Sequence, residues 1–231
     1  MKVIECEQYS QEWWDARLGI PTASAFSQII TSKGTPSKQA DGYLNQLVAE
    51  RITGMVEETF TSLKMEEGKA REATARRIYA MDHETPVQEV GFCLHDSGLF
   101  GCSPDGLVGD DGMIEIKNPM AKTTIGCLRA GDIPADYFHQ VQGGLLVTER
   151  AWCDFVVYYP GLWRFVVRVL PDLHFHKLLY DALNAFSRDL DIVEMELRAK
   201  YGATEFVPVP DPIDQATRVD KAEEEESCAS L

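Results

Sequence analysis

An aspartate, a glutamate and a lysine lie close together in the stretch CSPDGLVGDDGMIEIKNP, from Cys102 to Pro119. Apolar and polar residues alternate from Met113 to Lys117, which predicts a β-strand with Glu115 and Lys117 on one face. These two side chains could form only an ion pair. They could also act on a phosphate ester, with the carboxylate binding a divalent cation and the lysine acting on water.

A second carboxylate stands before a tight turn in the same stretch. Asp105 precedes the turn GDDG at Gly109 to Gly112, which predicts a hairpin that folds its segment back beside the strand of Glu115. Two carboxylates and a lysine can then converge, as a magnesium site for phosphoryl transfer requires. Asp110 and Asp111 are interpreted as turn formers, because the residue spacing of a calcium-binding loop is absent.

The elements around this stretch predict an α/β or α+β domain, in which helices flank a central mixed sheet. Capping residues, glycines and apolar periodicity indicate helices over about residues 10–17, 22–31, 43–53, 62–81, 137–149 and 172–201. Strands are predicted in the segments VQEVGFCLH, GLFGCS, MIEIK, WCDFVVYY and WRFVVRVL. The last two strands are expected to pair around the turn at Pro160 and Gly161.

Composition favours one folded domain over residues 1–210, followed by an acidic and flexible tail over residues 211–231 that contains four consecutive glutamates. The net charge of −15 argues against broad, nonspecific binding to nucleic acid or to an anionic membrane. No apolar run is long enough for a membrane span or a signal peptide. The six cysteines form no CxxC pair and are expected to be reduced thiols. We therefore expect a cytoplasmic protein without a membrane partner.

Five short motifs occur in an order that resembles a known nuclease family. They are WWDARLGIPTAS at 13–24, GKARE at 68–72, CSPDG at 102–106, EIKNP at 115–119 and HQVQ at 139–142. The order is similar to that of the lambda exonuclease and viral recombinase (alkaline exonuclease) family, within the PD-(D/E)xK nuclease superfamily. This resemblance implies a restriction-endonuclease-like core.

The resemblance also implies a metal site. Asp105, Glu115 and the main-chain carbonyl of Ile116 match the ligands of two Mg²⁺ ions per active site, for which Mn²⁺ could substitute. Lys117 matches the lysine that positions or deprotonates the attacking water. An unperturbed lysine, with a pKa of about 10.4, keeps its proton at neutral pH. Lys117 therefore acts as a base only if its pKa is lowered, and otherwise orients water and stabilises charge.

Two further positions match the family's catalytic site. Glu72 matches an additional acidic residue, although it could instead form only an i,i+4 ion pair with Arg76. Gln140 matches a glutamine that closes the site, and by itself would be interpreted as a surface residue. Gln142 lies off that face of the predicted helix and is the weaker candidate.

The resemblance implies a binding site for the DNA end as well. Arg17 matches an arginine that binds the terminal 5′-phosphate, a role suited to its planar fork of donors. Thr22, Ser24 and Ser103 could add donors to phosphate oxygens. Met65 matches an apolar wedge that separates the base pair ahead of the site. The alternatives are an interaction of Arg17 with a helix dipole and a core position for Met65.

Four other titratable residues receive no assigned function. His95 or Asp96 lies near a position where the family can carry an additional acid, but neither is assigned to the metal site. His174 and His176 alternate at a predicted helix start without acidic neighbours in sequence, which favours a structural role.

Together these matches predict a Mg²⁺-dependent exonuclease that digests one strand of linear duplex DNA from its 5′-phosphorylated end. It would release 5′-mononucleotides and leave a 3′ overhang for recombination by single-strand annealing. The resemblance further implies a homotrimer and cooperation with a phage single-strand annealing protein in the cytoplasm of a bacterial host. The alternatives are a restriction-like endonuclease of the same superfamily and a non-catalytic scaffold that binds DNA ends.

Overall fold

The computed structural model describes residues 1–56 and 63–202, apart from the side chains of residues 63–67 and 69. In these ranges the α-helices are α1 (Gln11–Arg17), α2 (Ala40–Thr53), α3 (Leu63–Asp82), α4 (Ala121–Ala130), α5 (Phe138–Thr148) and α6 (Leu173–Tyr201). Short 3-10 helices span Ala23–Gln28 and Ala135–Tyr137. The strands are β1 (Lys2–Ile4), β2 (Val87–Gln88), β3 (Phe92–Leu94), β4 (Gly101–Cys102), β5 (Gly106–Val108), β6 (Gly112–Lys117), β7 (Trp152–Val157) and β8 (Phe165–Val169).

The strands form two sheets among the described residues. The larger sheet has the order β2-β5-β6-β7-β8, with β6 and β7 parallel and the other pairs antiparallel. The smaller sheet pairs β1 with β3 and β3 with β4, both antiparallel. Asp110 and Asp111 lie in the turn between β5 and β6, and Leu107 is paired with Met113. The predicted hairpin and the predicted α/β class with a mixed sheet are both confirmed.

Strand β6 is the centre of the larger sheet and separates two apolar clusters. Met113 faces the main cluster, which also contains Leu145 of α5 and Phe155 of β7. Ile114 and Ile116 face a smaller cluster on the side of α3. The alternation predicted for this strand is thereby confirmed, and it leaves Glu115 on the same face as Met113. A buried carboxylate at the centre of a sheet needs partners, which the neighbouring elements supply.

Helix α5 approaches the 3-10 helix Ala23–Gln28 very closely. A Cβ atom added to Gly143 would lie 2.6 Å from Cδ2 of Phe26 and 3.1 Å from Cβ of Ala23. Because such a Cβ would overlap the Phe26 ring, the absence of a side chain at Gly143 permits this approach. The contact sets the segment around Thr22 beside the helix that carries Gln140.

Several predicted helix boundaries are confirmed. The Ser10 side chain accepts a hydrogen bond from the Trp13 amide at the start of α1, and Gly54 ends α2 with a left-handed φ of 70°. The helix expected after Thr22 is instead a short 3-10 helix that ends at Gln28, and Thr22 makes no capping hydrogen bond there.

Helix α4 and strand β1 were not predicted. The α4 sequence AKTTIGCLRA contains β-branched residues and a glycine, which lower intrinsic helix propensity. Its Thr124 and Cys127 are buried, so packing against the rest of the domain overrides that low propensity.

Three expectations about organisation have different outcomes. Across the described ranges, none of the helices combines the length and apolar character needed to cross a lipid bilayer. The cysteines in these ranges, Cys6, Cys93, Cys102, Cys127 and Cys153, are free thiols. The division into a domain over residues 1–210 and an acidic tail stays a prediction, because the tail and Cys228 lie outside the described residues.

The close contact of α5 gives a prediction for two helix glycines. We expect Gly143→Ala to lower the free energy of unfolding by about 1–3 kcal/mol, because the new methyl group overpacks the Phe26 contact. Gly126→Ala is the matched control in α4, where an added Cβ would meet nothing within 4 Å. It should raise the free energy of unfolding by up to about 1 kcal/mol. Urea unfolding followed by circular dichroism measures both, and equal effects would contradict the close packing.

Candidate active site

The β5–β6 hairpin brings Asp105 and Glu115 together. The Asp105 amide donates to the Ile114 carbonyl oxygen at 3.2 Å, and Asp105 Oδ2 accepts a hydrogen bond from the Ile116 amide at 2.5 Å. These two bonds attach Asp105 to the strand that carries Glu115. Both carboxylates are buried, with exposed fractions of 9% and 3%. Asp105 Oδ1 has no hydrogen-bond partner among the described residues.

Two donors converge on a single oxygen of Glu115. Lys117 Nζ lies 2.6 Å from Glu115 Oε1, and Gln140 Nε2 donates to the same oxygen at 2.6 Å. Lys117 comes from the same face of β6, whereas Gln140 comes from the first turn of α5. The lysine ammonium also lies 5.3 Å from the centroid of the Tyr137 ring. This leaves Glu115 Oε2 without a hydrogen-bond partner in the part of the chain that the structure describes.

Helix α3 is joined to this hairpin through Arg76. The Arg76 guanidinium donates to the main-chain carbonyl of Asp105 at 2.7 Å and pairs with Glu72 and Glu89, both at 2.7 Å. Glu72 therefore does form the i,i+4 pair with Arg76, and it also lines the same cleft as Asp105 and Glu115. The two interpretations offered for Glu72 from the sequence are compatible.

The close carboxylates perturb one another. Burial, together with the charges of Glu115 and Glu72, raises the pKa of Asp105 well above its usual range. Burial also raises the pKa of Glu72, although Arg76 opposes this shift. An excess of buried negative charge is thus concentrated in one place, and a cation at this point would relieve it.

Lys117 does not meet the requirement for a general base in this arrangement. Burial by itself lowers the pKa of Lys117, but the charges of Glu115 and Asp105 outweigh burial, so its pKa is raised above the ordinary value. The two carboxylates thus favour the ammonium form of the side chain. This geometry favours a lysine that orients water and stabilises negative charge over one that accepts a proton.

The carboxylates and the adjacent carbonyl fit a hard divalent cation. Among the described residues, no group of three or more His, Cys, Asp or Glu side chains is arranged to hold a metal ion. The groups in the cleft that could bind a cation together with water are Asp105 Oδ1, Glu115 Oε2 and the carbonyl oxygen of Ile116. Mg²⁺ is usually bound in this way, through one or two carboxylates with water and phosphate oxygens completing its shell.

A cationic site lies in the same cleft. Arg17 donates from Nη1 to Ser103 Oγ at 3.1 Å and from Nη2 to Thr22 Oγ1 at 3.5 Å, and its guanidinium lies 4.1 Å from the centroid of the Trp13 ring. Thr22 Oγ1 lies 3.3 Å from Ser24 Oγ. Burial lowers the pKa of Arg17, and its charge forms no ion pair with a carboxylate among the described residues. A partly buried guanidinium surrounded by hydroxyl groups is suited to binding an anion.

The two groups of residues border one cleft with a volume of about 200 Å³. The residues of this cleft that the sequence had singled out are Arg17, Thr22, Ser24, Glu72, Ser103, Asp105, Glu115, Ile116, Lys117 and Gln140. Gln8, Tyr9 and Trp13 also line it. Neither Gln8 nor Tyr9 belongs to a motif, and no signal in the sequence indicated their position.

A family profile decides what kind of protein this is. The profile of the YqaJ-like viral recombinase domain matches residues 12–151. The chain belongs to this viral recombinase family. The family inferred from the five ordered motifs is confirmed.

Solved structures agree with this assignment. The alkaline exonuclease LHK-Exo from Laribacter hongkongensis is 34% identical, with a TM-score of 0.75 over 83% of this chain and 97% of that chain. A crystal structure of LHK-Exo in complex with dAMP is similar over the same shares, at 33% identity and a TM-score of 0.75. The chain is therefore similar over most of its length to a solved alkaline exonuclease.

Two more distant matches give less information about the function of the chain. A phage-related exonuclease from Haemophilus somnus 129PT has a TM-score of 0.56 at 13% identity, over 77% of this chain and 96% of that chain, and supports the fold alone. Uncharacterized protein R354 of Acanthamoeba polyphaga mimivirus is 28% identical over 174 residues, or 67% of this chain. The viral recombinase-family chain spans only 30% of that mimivirus protein.

The sequence also singled out Met65, His95 and Asp96 as possible functional residues. Met65 falls in the first turns of α3, and its side chain lies outside the described residues. The His95 ring stacks on Phe100 with a centroid distance of 4.5 Å, and Asp96 pairs with the N-terminal amine at 2.9 Å. Neither His95 nor Asp96 lines the cleft.

The remaining polar candidates do not line the cleft. Gln142 donates to the Leu170 carbonyl at 3.0 Å and accepts from the Asp172 amide at 2.8 Å, so it connects α5 to the start of α6. His174 is exposed and His176 is partly buried, both in the first turns of α6. Neither histidine lines the cleft.

Proposed function

We propose that the chain is a Mg²⁺-dependent 5′-to-3′ exonuclease that digests one strand of linear double-stranded DNA to 5′-mononucleotides. The digestion would leave a 3′ overhang for homologous recombination by single-strand annealing. The observation that carries this proposal is the single cleft that contains both the Asp105, Glu115 and Lys117 cluster and the Arg17 site. An enzyme that binds a terminal phosphate beside its cleavage site removes nucleotides from an end.

The catalytic part of the cleft positions an attacking water molecule. Two Mg²⁺ ions, or Mn²⁺ in their place, would be held by Asp105, Glu115 and the carbonyl of Ile116, and would supply a more acidic bound water and charge stabilisation at the leaving 3′ oxygen. Lys117 orients the water through its ammonium and stabilises the charge that develops on the phosphate. Gln140 keeps Glu115 Oε1 occupied, so that its other oxygen stays directed to the cation.

Glu72 and Arg76 support this arrangement from α3. Glu72 adds negative charge on the side of the cleft that faces Asp105, which increases the attraction for a divalent cation. Arg76 fixes the position of that carboxylate and of the Asp105 main chain through the contacts described above. Helix α3 would in this way add Glu72 and Arg76 to the site formed by the β5–β6 hairpin.

The Arg17 site would give the enzyme its preference for a DNA end that carries a 5′-phosphate. A terminal 5′-phosphate carries more negative charge than an internal phosphodiester, and a guanidinium can bind two of its oxygens at once. Thr22, Ser24 and Ser103 would donate hydroxyl hydrogens to the same phosphate. Met65 would act as the wedge that opens the next base pair, a role that the family resemblance supplies.

The wider assembly is part of the proposal and rests on the family resemblance. We infer a homotrimer around the DNA, which would keep the enzyme on its substrate, and a phage single-strand annealing protein that receives the 3′ strand. The exonuclease domain would span residues 1–210, and the acidic residues 211–231 would follow it. The free thiols are consistent with work in the reducing cytoplasm of a bacterial host.

The proposed function predicts the products and polarity of DNA digestion. With Mg²⁺, a 5′-phosphorylated linear duplex labelled at its 5′ end should release labelled mononucleotide from the earliest times, whereas an internal label should appear later. A covalently closed circle should stay intact. Cleavage of the circle would favour the restriction-like endonuclease, and binding without release of nucleotides would favour the scaffold.

In the same assay we expect Lys117→Ala to lower the rate of release by about 100-fold or more, because a charge that stabilises the transition state is lost. Binding of the duplex, measured by fluorescence anisotropy, should be retained. Lys122→Ala, which removes an exposed lysine in α4, is the matched control and should cleave normally. Normal cleavage by Lys117→Ala would remove this lysine from the mechanism.

Arg17→Ala should erase the preference for a 5′-phosphate over a 5′-hydroxyl end, a preference we expect to be about 10- to 100-fold in the parent protein. Arg17→Lys keeps the charge but loses the planar fork, so it should retain only part of the preference. Arg129→Ala, an exposed arginine of α4, serves as the control. Initial rates on the two duplexes give the ratio, and an unchanged ratio in Arg17→Ala would refute the phosphate site.

A further inference from the structure

Tyr9 borders the cleft in a backbone conformation that tyrosine rarely adopts. Its φ is 71°, in the left-handed region where a bulky side chain is sterically disfavoured. Its ring is nevertheless 42% exposed, so burial in the core does not account for an aromatic residue here. An unfavourable conformation that is held at a functional cleft calls for a functional explanation.

The neighbours of Tyr9 impose this conformation. The Gln8 side chain donates to the carbonyl oxygens of Val90 and Pro104 at 3.0 and 3.1 Å. On the other side, Ser10 is the N-cap of α1 and is fixed by the first turn of that helix. Because both neighbours are anchored, the turn itself needs a left-handed residue, for which glycine would serve best. The Tyr9 side chain must therefore contribute something that glycine would not.

The Tyr9 ring lines the cleft beside Trp13. Its centroid is 5.0 Å from that of Trp13, which in turn carries the Arg17 guanidinium on its ring. Burial raises the pKa of Tyr9, and charged groups from both parts of the cleft also act on its hydroxyl. These groups are Glu72, Asp105, Lys117 and Arg17. Tyr9 thus stands within electrostatic range of the phosphate site and of the carboxylates at once.

A second cleft of about 600 Å³ opens on the α3 side of Tyr9. Gln8, Tyr9, Glu72 and Asp105 line both clefts. The apolar part of the second lining comes from three small or branched residues, Ala70, Ala73 and Val90. Its volume and partly apolar wall give room for a flat ring beside the catalytic carboxylates.

We propose that Tyr9 is a positioning residue that stacks on the base of the 5′-terminal nucleotide. This inference rests on the proposed function. A nucleotide whose 5′-phosphate lies at Arg17 and whose 3′-phosphate lies at Asp105 must place its sugar and base within the same cleft, which Tyr9 also lines. Stacking suits an enzyme that digests any sequence, because every base presents a flat aromatic face.

The test compares two 5′-phosphorylated duplexes that differ only in their 5′-terminal residue, a normal nucleotide or an abasic tetrahydrofuran. We expect the parent to prefer the normal duplex by about 10-fold in kcat/KM, mainly through KM. Tyr9→Gly should bring this ratio close to one, whereas Tyr9→Phe, which keeps the ring, should retain it. Tyr201→Ala removes an exposed tyrosine at the end of α6 and should leave the ratio as in the parent.

A binding measurement separates this inference from the proposed function. Calorimetry with the full chain should give tighter binding of dAMP than of 2-deoxyribose 5-phosphate, and Tyr9→Gly should lose that difference. A protein that degrades no DNA but keeps a Tyr9-dependent difference would overturn the exonuclease proposal and uphold the inference. If the protein degrades DNA and the parent and Tyr9→Gly show the same base dependence, the inference alone is overturned. The inference is also overturned if the parent protein shows no base dependence.

Thermal unfolding tests whether Tyr9 only stabilises the fold. Tyr9→Gly relieves the left-handed backbone and removes only a half-exposed ring, so its melting temperature should be equal to or above that of the parent. Glu84→Gly, at another left-handed position with a φ of 48°, is the control for relief of backbone strain, and should leave the base dependence unchanged. A lower melting temperature for Tyr9→Gly, together with an unchanged base dependence, would overturn the proposal.

Discussion

The hydrogen bond from the Ile116 amide to Asp105 Oδ2 is the interaction on which the rest of the site depends. It is formed inside the hairpin, so it holds a loop carboxylate against the strand that carries Glu115 and Lys117. Asp105 thereby uses one oxygen within the protein, and its other oxygen would be the one that binds a cation in the proposed function. The burial of two neighbouring carboxylates lowers the stability of the protein unless a cation or a lysine offsets their charge, and the bond from the Ile116 amide counters part of this cost for Asp105.

The net charge of the chain is negative, whereas one part of the cleft is positively charged. The chain carries a net charge of −15, yet Arg17 lies in the cleft without a carboxylate partner among the described residues. Under the proposed function, the protein would attract DNA through a few oriented donors and through bound cations, since the net charge of the chain opposes broad attraction. This arrangement suits an enzyme that acts at an end, where a single terminal phosphate provides the strongest anchor.

The sequence could predict the part of the site that is local. Period-two alternation placed Glu115 and Lys117 on one face, and the GDDG turn placed Asp105 beside them. Gln140 and Glu72 were reached only through the order of the motifs, because their contacts with the hairpin are long-range. The pairing of Arg76 with the Asp105 carbonyl had no signal, since a main-chain acceptor leaves no mark in a sequence.

The features that the sequence could not predict depend on packing. Helix α4 has a composition that disfavours helices, and its buried face stabilises it only once the domain has folded. Tyr9 gave no signal, because its left-handed backbone is imposed by anchors at Gln8 and Ser10 that belong to different parts of the fold. The raised pKa of Lys117 also required coordinates, since burial and the nearby carboxylates act on it in opposite directions.

In the proposed function, Asp105 and Glu115 hold a divalent cation at a DNA phosphate. Anomalous diffraction from crystals of Lys117→Ala grown with Mn²⁺ and a 5′-phosphorylated duplex tests it most directly. We expect a manganese peak about 2.1 Å from one oxygen of each carboxylate, with a phosphate oxygen of the DNA as a further ligand. Manganese bound elsewhere, or a DNA phosphate in the cleft without a metal at these two residues, would contradict the account.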